Sequence, residues 1–261
     1  MLLTNKNAII YGAGGAVGRA VALAFAREGA SVFLAGRTLS KLEKVAAEVS
    51  NQGGVAHIAK VDAHHQQAVD DHLKEVVRQA GRIDISFNLI SLNDVQGSPL
   101  TSMSREEFEQ PIVNAVRTHF ITATSAARYM KAQGSGVILA LTANAARYPF
   151  ANVGGFGIAC AAMEAFCRQL AVEVGKQGVR VVCLRSAGSP DAPSVDEVFN
   201  HHTSGDFVTP GAFESYLTEI TMLKRLPRLS EVANTAVLMA ADHASAVTAA
   251  VMNVTCGGIA D

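Results

Sequence analysis

The chain has no surplus of either charge: 22 Lys plus Arg stand against 23 Asp plus Glu. That balance leaves no electrostatic footprint for nucleic acid or an anionic membrane. It has four cysteines, Cys160, Cys167, Cys183 and Cys256, and none falls in a CxxC or metal-ligand spacing. They read as reduced, mostly buried thiols of a cytoplasmic protein. No apolar run is long enough to span a bilayer. The first residues lead straight into a strand, without the basic and apolar regions of a signal peptide. There is no low-complexity stretch and no short repeat. His57, His64, His65 and His72 lack a tight ligand pattern and an acidic partner, so they read as surface imidazoles and no metal is expected.

What is present is hydrophobic residue, 49% of 261 positions, enough for a large core. This length suits one large α/β domain or two small ones. Ala8 to Tyr11 is a short apolar run suited to a buried parallel strand. Gly12, Gly14, Gly15 and Gly18 follow at once. Val17 to Glu28 has helical apolar spacing, and Gly29 is placed to end it. Ser31 to Ala35 is a second apolar run. Strand, glycine turn, helix and strand form a unit whose helix start offers N–H groups to an anion, such as a dinucleotide pyrophosphate. Structural turns alone also produce glycine clusters, so the context matters.

Further units repeat the alternation. Helices are expected from Thr38, as N-cap, to about Ser50, over Gln66–Ala80, from the capping box Ser104-Arg-Glu-Glu107 onward, over Gly154–Gly175 and over Ser230–Ala241. Strands are expected over 55–61, 83–90, 136–141, 179–184 and 250–254. This alternation predicts an α/β fold: a Rossmann-like, doubly wound parallel sheet of about seven strands with helices on both faces. Ligands then lie over the carboxyl ends of the strands. The irregular stretch 186–210 has the character of a loop that covers a substrate site.

The spacing Gly12-x-x-x-Ala16-x-Gly18 resembles the first-turn motif of short-chain dehydrogenases/reductases, with Ala16 where that family usually has its middle glycine. The ending Val254-Thr255-Cys256-Gly257-Gly258 resembles its closing segment, so the likeness covers essentially the whole chain as one domain, 1–261. It implies cofactor contacts from Gly12, Gly14, Gly15, Ala16, Val17 and Gly18. Asp62, at the end of the third strand, takes the family's position beside the adenine, although a helix cap or turn carboxylate would look the same. Asn88 is the survivor of a family Asn-Asn-Ala-Gly turn, here Asn88-Leu89-Ile90-Ser91. The second strand ends in Gly36-Arg37 and not in an acid. An arginine suits a ribose 2′-phosphate, so Arg37, helped by Arg19, favours NADP(H) over NAD(H); a solvated surface arginine is the alternative.

The resemblance also implies a proton relay of Ser, Tyr and Lys, and this sequence departs from it at all three positions. Ala143 stands at the serine, Phe156 at the tyrosine and Cys160 at the lysine. The wider tyrosine–lysine spacing of the enoyl-reductase branch does no better, placing Val153 and Cys160 there. A phenol near pKa 10 relays protons poorly at neutral pH unless a cation stabilises its anion, and here both are gone. Asn114 matches the family's active-site asparagine, or is a polar packing residue. Tyr148, beside Arg147, is the nearest replacement phenol; aromatic lining or a surface position is its plainer reading. Thr142 offers a neighbouring hydroxyl. Asp191 lies near where a threonine often meets the nicotinamide. Three functions stay open: a divergent NADP(H)-dependent oxidoreductase acting on an unknown small carbonyl or alcohol, a non-catalytic cofactor-binding sensor, and a structural subunit. The Asn114 and Cys160 helices resemble those through which the family forms homodimers and homotetramers.

Overall fold

The computed structural model describes residues 1–192 and 211–261. Seven parallel strands form one sheet in the order β3-β2-β1-β4-β5-β6-β7. They are β1 (Asn7–Tyr11), β2 (Ser31–Gly36), β3 (Val55–Lys60), β4 (Ile85–Asn88), β5 (Gly136–Ala143), β6 (Val179–Ser186) and β7 (Ala250–Val254). Between them run α1 (Ala16–Arg27), α2 (Leu39–Asn51), α3 (Gln66–Ala80), α4 (Arg105–Gln133) and α5 (Phe156–Val174). Between β6 and β7 lie α6 (Ala212–Ile220) and α7 (Leu229–Ala240). The doubly wound fold expected from the alternation is the one observed.

Side-chain alternation divides the core. On β1, Ala8 and Ile10 face a layer with Val21 and Phe25 of α1, Val45 of α2 and Ala236 of α7. Ile9 and Tyr11 face the opposite layer, with Leu73 of α3, Met130 of α4 and Leu170 of α5. The inner strands are buried on both faces, which is why they read as near-continuous apolar runs, whereas the edge strands β3 and β7 are more exposed.

The strand order reverses at β1 and β4; the two strands stay paired to Tyr11 and Asn88, and the segments leaving their carboxyl ends run to opposite sides and open a crevice. The turn after β1 fits only because of its glycines. Gly12 has φ +75°, and a Cβ on it would collide with the Leu89 carbonyl group. A Cβ on Gly18 would run into the Gly12 oxygen and sit 2.7 Å from the Ala13 Cα. Helix α1 can therefore close directly onto the turn that leads into it.

Several local expectations were refined. Thr38 is the N-cap of α2, yet its side chain makes no capping bond. The capping box of α4 is complete: Glu107 N–H donates to Ser104 Oγ at 3.2 Å, and Ser104 N–H donates to Glu107 Oε2 at 2.9 Å. His57 and His65 are exposed, but His72 is buried, contrary to the surface reading, with its ring edge-on to Tyr11. The α3 position that carries it faces the sheet. Of the loop expected over 186–210, residues 193–210 lie outside the described residues. The helix α6 just beyond it was not expected.

Candidate active site and cofactor cleft

Two cavities adjoin over the carboxyl ends of the strands, one of about 240 Å³ and one of about 400 Å³. They share the walls Gly15, Leu89, Ile90 and Ser91. Together they make an elongated cleft that crosses the switch point of the sheet.

The smaller chamber is walled by Gly12, Gly14, Arg37 and Asp62 among others. Arg37 is exposed at the end of β2. Asp62 accepts a hydrogen bond from the His64 backbone N–H at 3.0 Å through Oδ1, so the turn and wall readings coexist in one carboxylate. Arg19 does not join Arg37. It pairs with Glu48 of α2, donating through Nε at 2.9 Å and through Nη2, and is not part of the chamber's wall.

Gly15, Ala16, Val17 and Gly18 form the junction, where α1 begins. The first N–H groups of a helix have no partner within it, and they carry the positive end of its dipole. Asn88 is buried at the end of β4 and both ends of its amide are engaged. Its Nδ2 donates to Thr122 Oγ1 at 3.1 Å, and its Oδ1 accepts from Ile90 N–H at 3.0 Å. Asn88 thus shapes the turn that forms the shared wall.

The larger chamber brings Ala143, Phe156 and Cys160 together on one wall. Ala143 ends β5, Phe156 starts α5 and Cys160 lies one turn along it. Burial pushes the Cys160 thiol up to about 12, so it is a neutral group and a poor nucleophile. Thr142 also lines the chamber, but its hydroxyl is engaged, donating to Glu164 Oε1 at 3.1 Å. Most of the remaining wall is hydrocarbon, including Leu92, Phe150, Val153, Met163 and Phe213.

The other candidate residues stand back from this wall. Asn114 is buried in α4 and donates through Nδ2 to the Leu92 carbonyl at 2.9 Å, tying the helix to the loop after β4. Tyr148 is 42% exposed, packs its ring on Phe150 at 5.0 Å and shares a hydrogen bond with Tyr216 of α6. Neither belongs to the wall of the larger chamber. Asp191 accepts from Leu229 N–H at 3.0 Å and so fastens the start of α7. Sequence reading passed over Asp94 and His119, which do line the chamber. Asp94 lies in an irregular loop with no pattern to mark it. His119 lies in a stretch of α4 with several other buried polar residues, Asn114, Thr118 and Thr122, but no residue spacing marks it out.

A family model described as "Enoyl-(Acyl carrier protein) reductase" matches residues 12–258. The chain belongs to the short-chain dehydrogenase/reductase family. It is 27% identical over 247 residues to 2,3-dihydro-2,3-dihydroxybenzoate dehydrogenase of Bacillus subtilis, covering 94% of this chain and 93% of that protein. It is also 27% identical over 258 residues to 7alpha-hydroxysteroid dehydrogenase of Escherichia coli K12, covering 98% and 95%. A crystal structure of NAD+-bound xylitol dehydrogenase superposes with TM-score 0.93 at 21% identity, covering 98% of this chain and 100% of that one. A 7 alpha-hydroxysteroid dehydrogenase complexed with NADH and 7-oxo glycochenodeoxycholic acid superposes with TM-score 0.85 at 26% identity, covering 99% and 96%.

Short-chain dehydrogenases/reductases are oxidoreductases that bind a nicotinamide dinucleotide, and the cleft fits one. Its two chambers meet at a helix N-terminus, where backbone closeness excludes a Cβ at Gly12 and Gly18. No helix among the described residues is long and apolar enough to cross a membrane. No group of three His, Cys, Asp or Glu side chains among them is placed to hold a metal.

Proposed function

We propose that this protein binds NADP(H) in preference to NAD(H) and is an oxidoreductase of one domain that lacks the family's proton relay. Bound at this cleft, the cofactor supplies or accepts a hydride. The residues of this chain then have separable tasks. The N–H groups of Ala16 to Gly18 hold the pyrophosphate, Arg37 holds the 2′-phosphate, Asp62 lies by the adenine and Asn88 shapes the floor beneath the ribose. The observation that carries the reading is the gathering of Ala143, Phe156 and Cys160 on one chamber wall beside an intact glycine turn. An alanine methyl, a phenyl ring and a buried neutral thiol neither donate a proton to a carbonyl oxygen nor stabilise its anion. Loss of general acid catalysis costs about 10²- to 10⁴-fold in rate. Ordinary ketone reduction is therefore slow or absent. Asn114 and Tyr148 remain the candidates for any residual proton handling, through water.

The test is calorimetric titration of the purified chain with NADPH and NADH, followed by assay on common ketones. Tighter NADPH binding with feeble ketone turnover is the expected result. Vigorous turnover that survives Tyr148→Phe overturns the loss of the relay, and absence of binding by either cofactor overturns the reading as a whole.

The same three replacements support a second reading, a cofactor-binding sensor or structural subunit with no turnover of its own. Apolar side chains exposed on α4 and α5, Val113, Val116, Phe120 and Ile158, support assembly as a homodimer or homotetramer. The balanced charge and reduced-thiol composition support a cytoplasmic location.

A further inference from the structure

The larger chamber is apolar, but its electrostatics are one-sided. Among the described residues, Asp94 is the one carboxylate, lysine or arginine side chain on its wall. Asp94 is half-buried in the loop after β4, and its Oδ2 accepts a hydrogen bond from Gln96 Nε2 at 2.6 Å. That contact orients the carboxylate without neutralising it. Cys160, on the wall of the same chamber, stands where the family has lysine. Its thiol is held neutral first by burial, and the field of Asp94 acts in the same direction. His119 adds no charge either. Its Nδ1 lies 3.0 Å from the Ala115 carbonyl, which can only accept, so Nδ1 carries the proton, and burial lowers its pKa to about 4. Glu164, the next carboxylate, is already paired with Arg185. A position that is cationic in the family has become neutral, and it looks onto a negative charge and the rings of Phe150, Phe156 and Phe213.

This field opposes the reduction of a neutral ketone. Hydride addition there builds negative charge on oxygen, and the wall offers a carboxylate in place of an acid. It favours a substrate that arrives with positive charge. We propose that the chamber takes an iminium ion, with Asp94 as counter-ion and the phenyl rings against its cationic face. The inference rests on the cofactor reading above. In the step, hydride forms a new C–H bond at the iminium carbon and the C=N π pair withdraws onto nitrogen. The product is a neutral amine, the nicotinamide is oxidised by two electrons, and no proton moves. The missing relay is then no handicap.

The test uses N-methyl-3,4-dihydroisoquinolinium, a permanent cation, with cyclohexanone as the neutral comparison. Binding of the cation to the full chain without cofactor is measured by calorimetry for wild type and Asp94→Asn. The expected result is about tenfold weaker binding in the variant, the scale of one partly solvated charge pair. With NADPH present, the cation is reduced and cyclohexanone is not. Asp94→Asn raises KM about tenfold without lowering kcat, because the charge that Asp94 holds is dissipated in the transition state. The wild-type measurements stand whether or not the variant folds. Equal affinity of both proteins for the cation, or no NADPH oxidation with the cation while NADPH binds, overturns the inference alone. Failure to bind NADPH overturns the cofactor reading with it.

Discussion

Arg185 at the end of β6 grips Glu164 of α5 through two parallel hydrogen bonds, Nε to Oε1 and Nη2 to Oε2, both 2.8 Å. Both residues are buried, and Arg185 Nη1 also donates to Asp261 at 2.6 Å. The pair fixes α5 one turn beyond Cys160, and through Thr142 it fixes the end of β5 next to Ala143. Glu164→Ala leaves a buried guanidinium short of its partner and is expected to cost about 3 to 5 kcal/mol. Glu164→Leu with Arg185→Leu recovers most of that loss. Urea unfolding of the single and double variants checks both statements.

Gly18→Ala is expected to lower stability by about 1 to 3 kcal/mol, because the added methyl meets backbone that cannot rotate away. NADPH affinity falls as well, since relief requires the helix start to withdraw from the turn. Denaturant melts and calorimetry on the same preparation separate the two effects.

Arg37→Ser removes a cation from the wall of the smaller chamber at the end of β2 and leaves Lys41 of α2 on the same wall. NADPH is expected to bind about tenfold more weakly, the scale of a charge-assisted contact, with NADH nearly unchanged. Equal thermal stabilisation of the wild type by both cofactors would count against the assignment.

Ala143→Ser, Phe156→Tyr and Cys160→Lys together are expected to restore some ketone reduction, since the three positions already share one wall. Each single change is expected to do little, because the tyrosine needs the cation to lower its pKa. Steady-state assays on cyclohexanone with NADPH decide this.

His72 and His119 are buried and neutral, each with its pKa lowered from 6.5 to about 4, chiefly by burial. Both are protonated more readily in the unfolded chain. Their contribution is thus fully present above pH 6.5 and is lost as pH falls toward 4; at pH 5 each removes about 2 kcal/mol. Melting temperature should fall across this window, and His119→Phe should flatten the fall. Glu75, near His72, acts against its shift, so His119 gives the cleaner measurement.

Much of the fold was legible because each strand buried on both faces announces itself as an apolar run, and each helix start and stop has local chemistry, as at Ser104 with Glu107. The glycine turn was legible for the same reason: Gly12 and Gly18 answer to backbone constraints that spacing records. The chamber was less so. Tyr148 finds its partner Tyr216 across some seventy residues of sequence, and Arg19 turns to Glu48 on the neighbouring helix. Asp94 becomes conspicuous only when Cys160, distant in the chain, is seen to bring no charge to meet it.

The junction of Ala143, Phe156 and Cys160 has a consequence for what the protein ignores. Aldehydes and ketones are abundant cellular electrophiles, and most would fit a chamber lined with hydrocarbon. On the proposed reading, with no hydroxyl or ammonium at these three positions to activate them, they leave as they entered and a bound reducing equivalent is spared. The three replacements would then act as a sieve, selecting by reactivity what the walls do not select by shape.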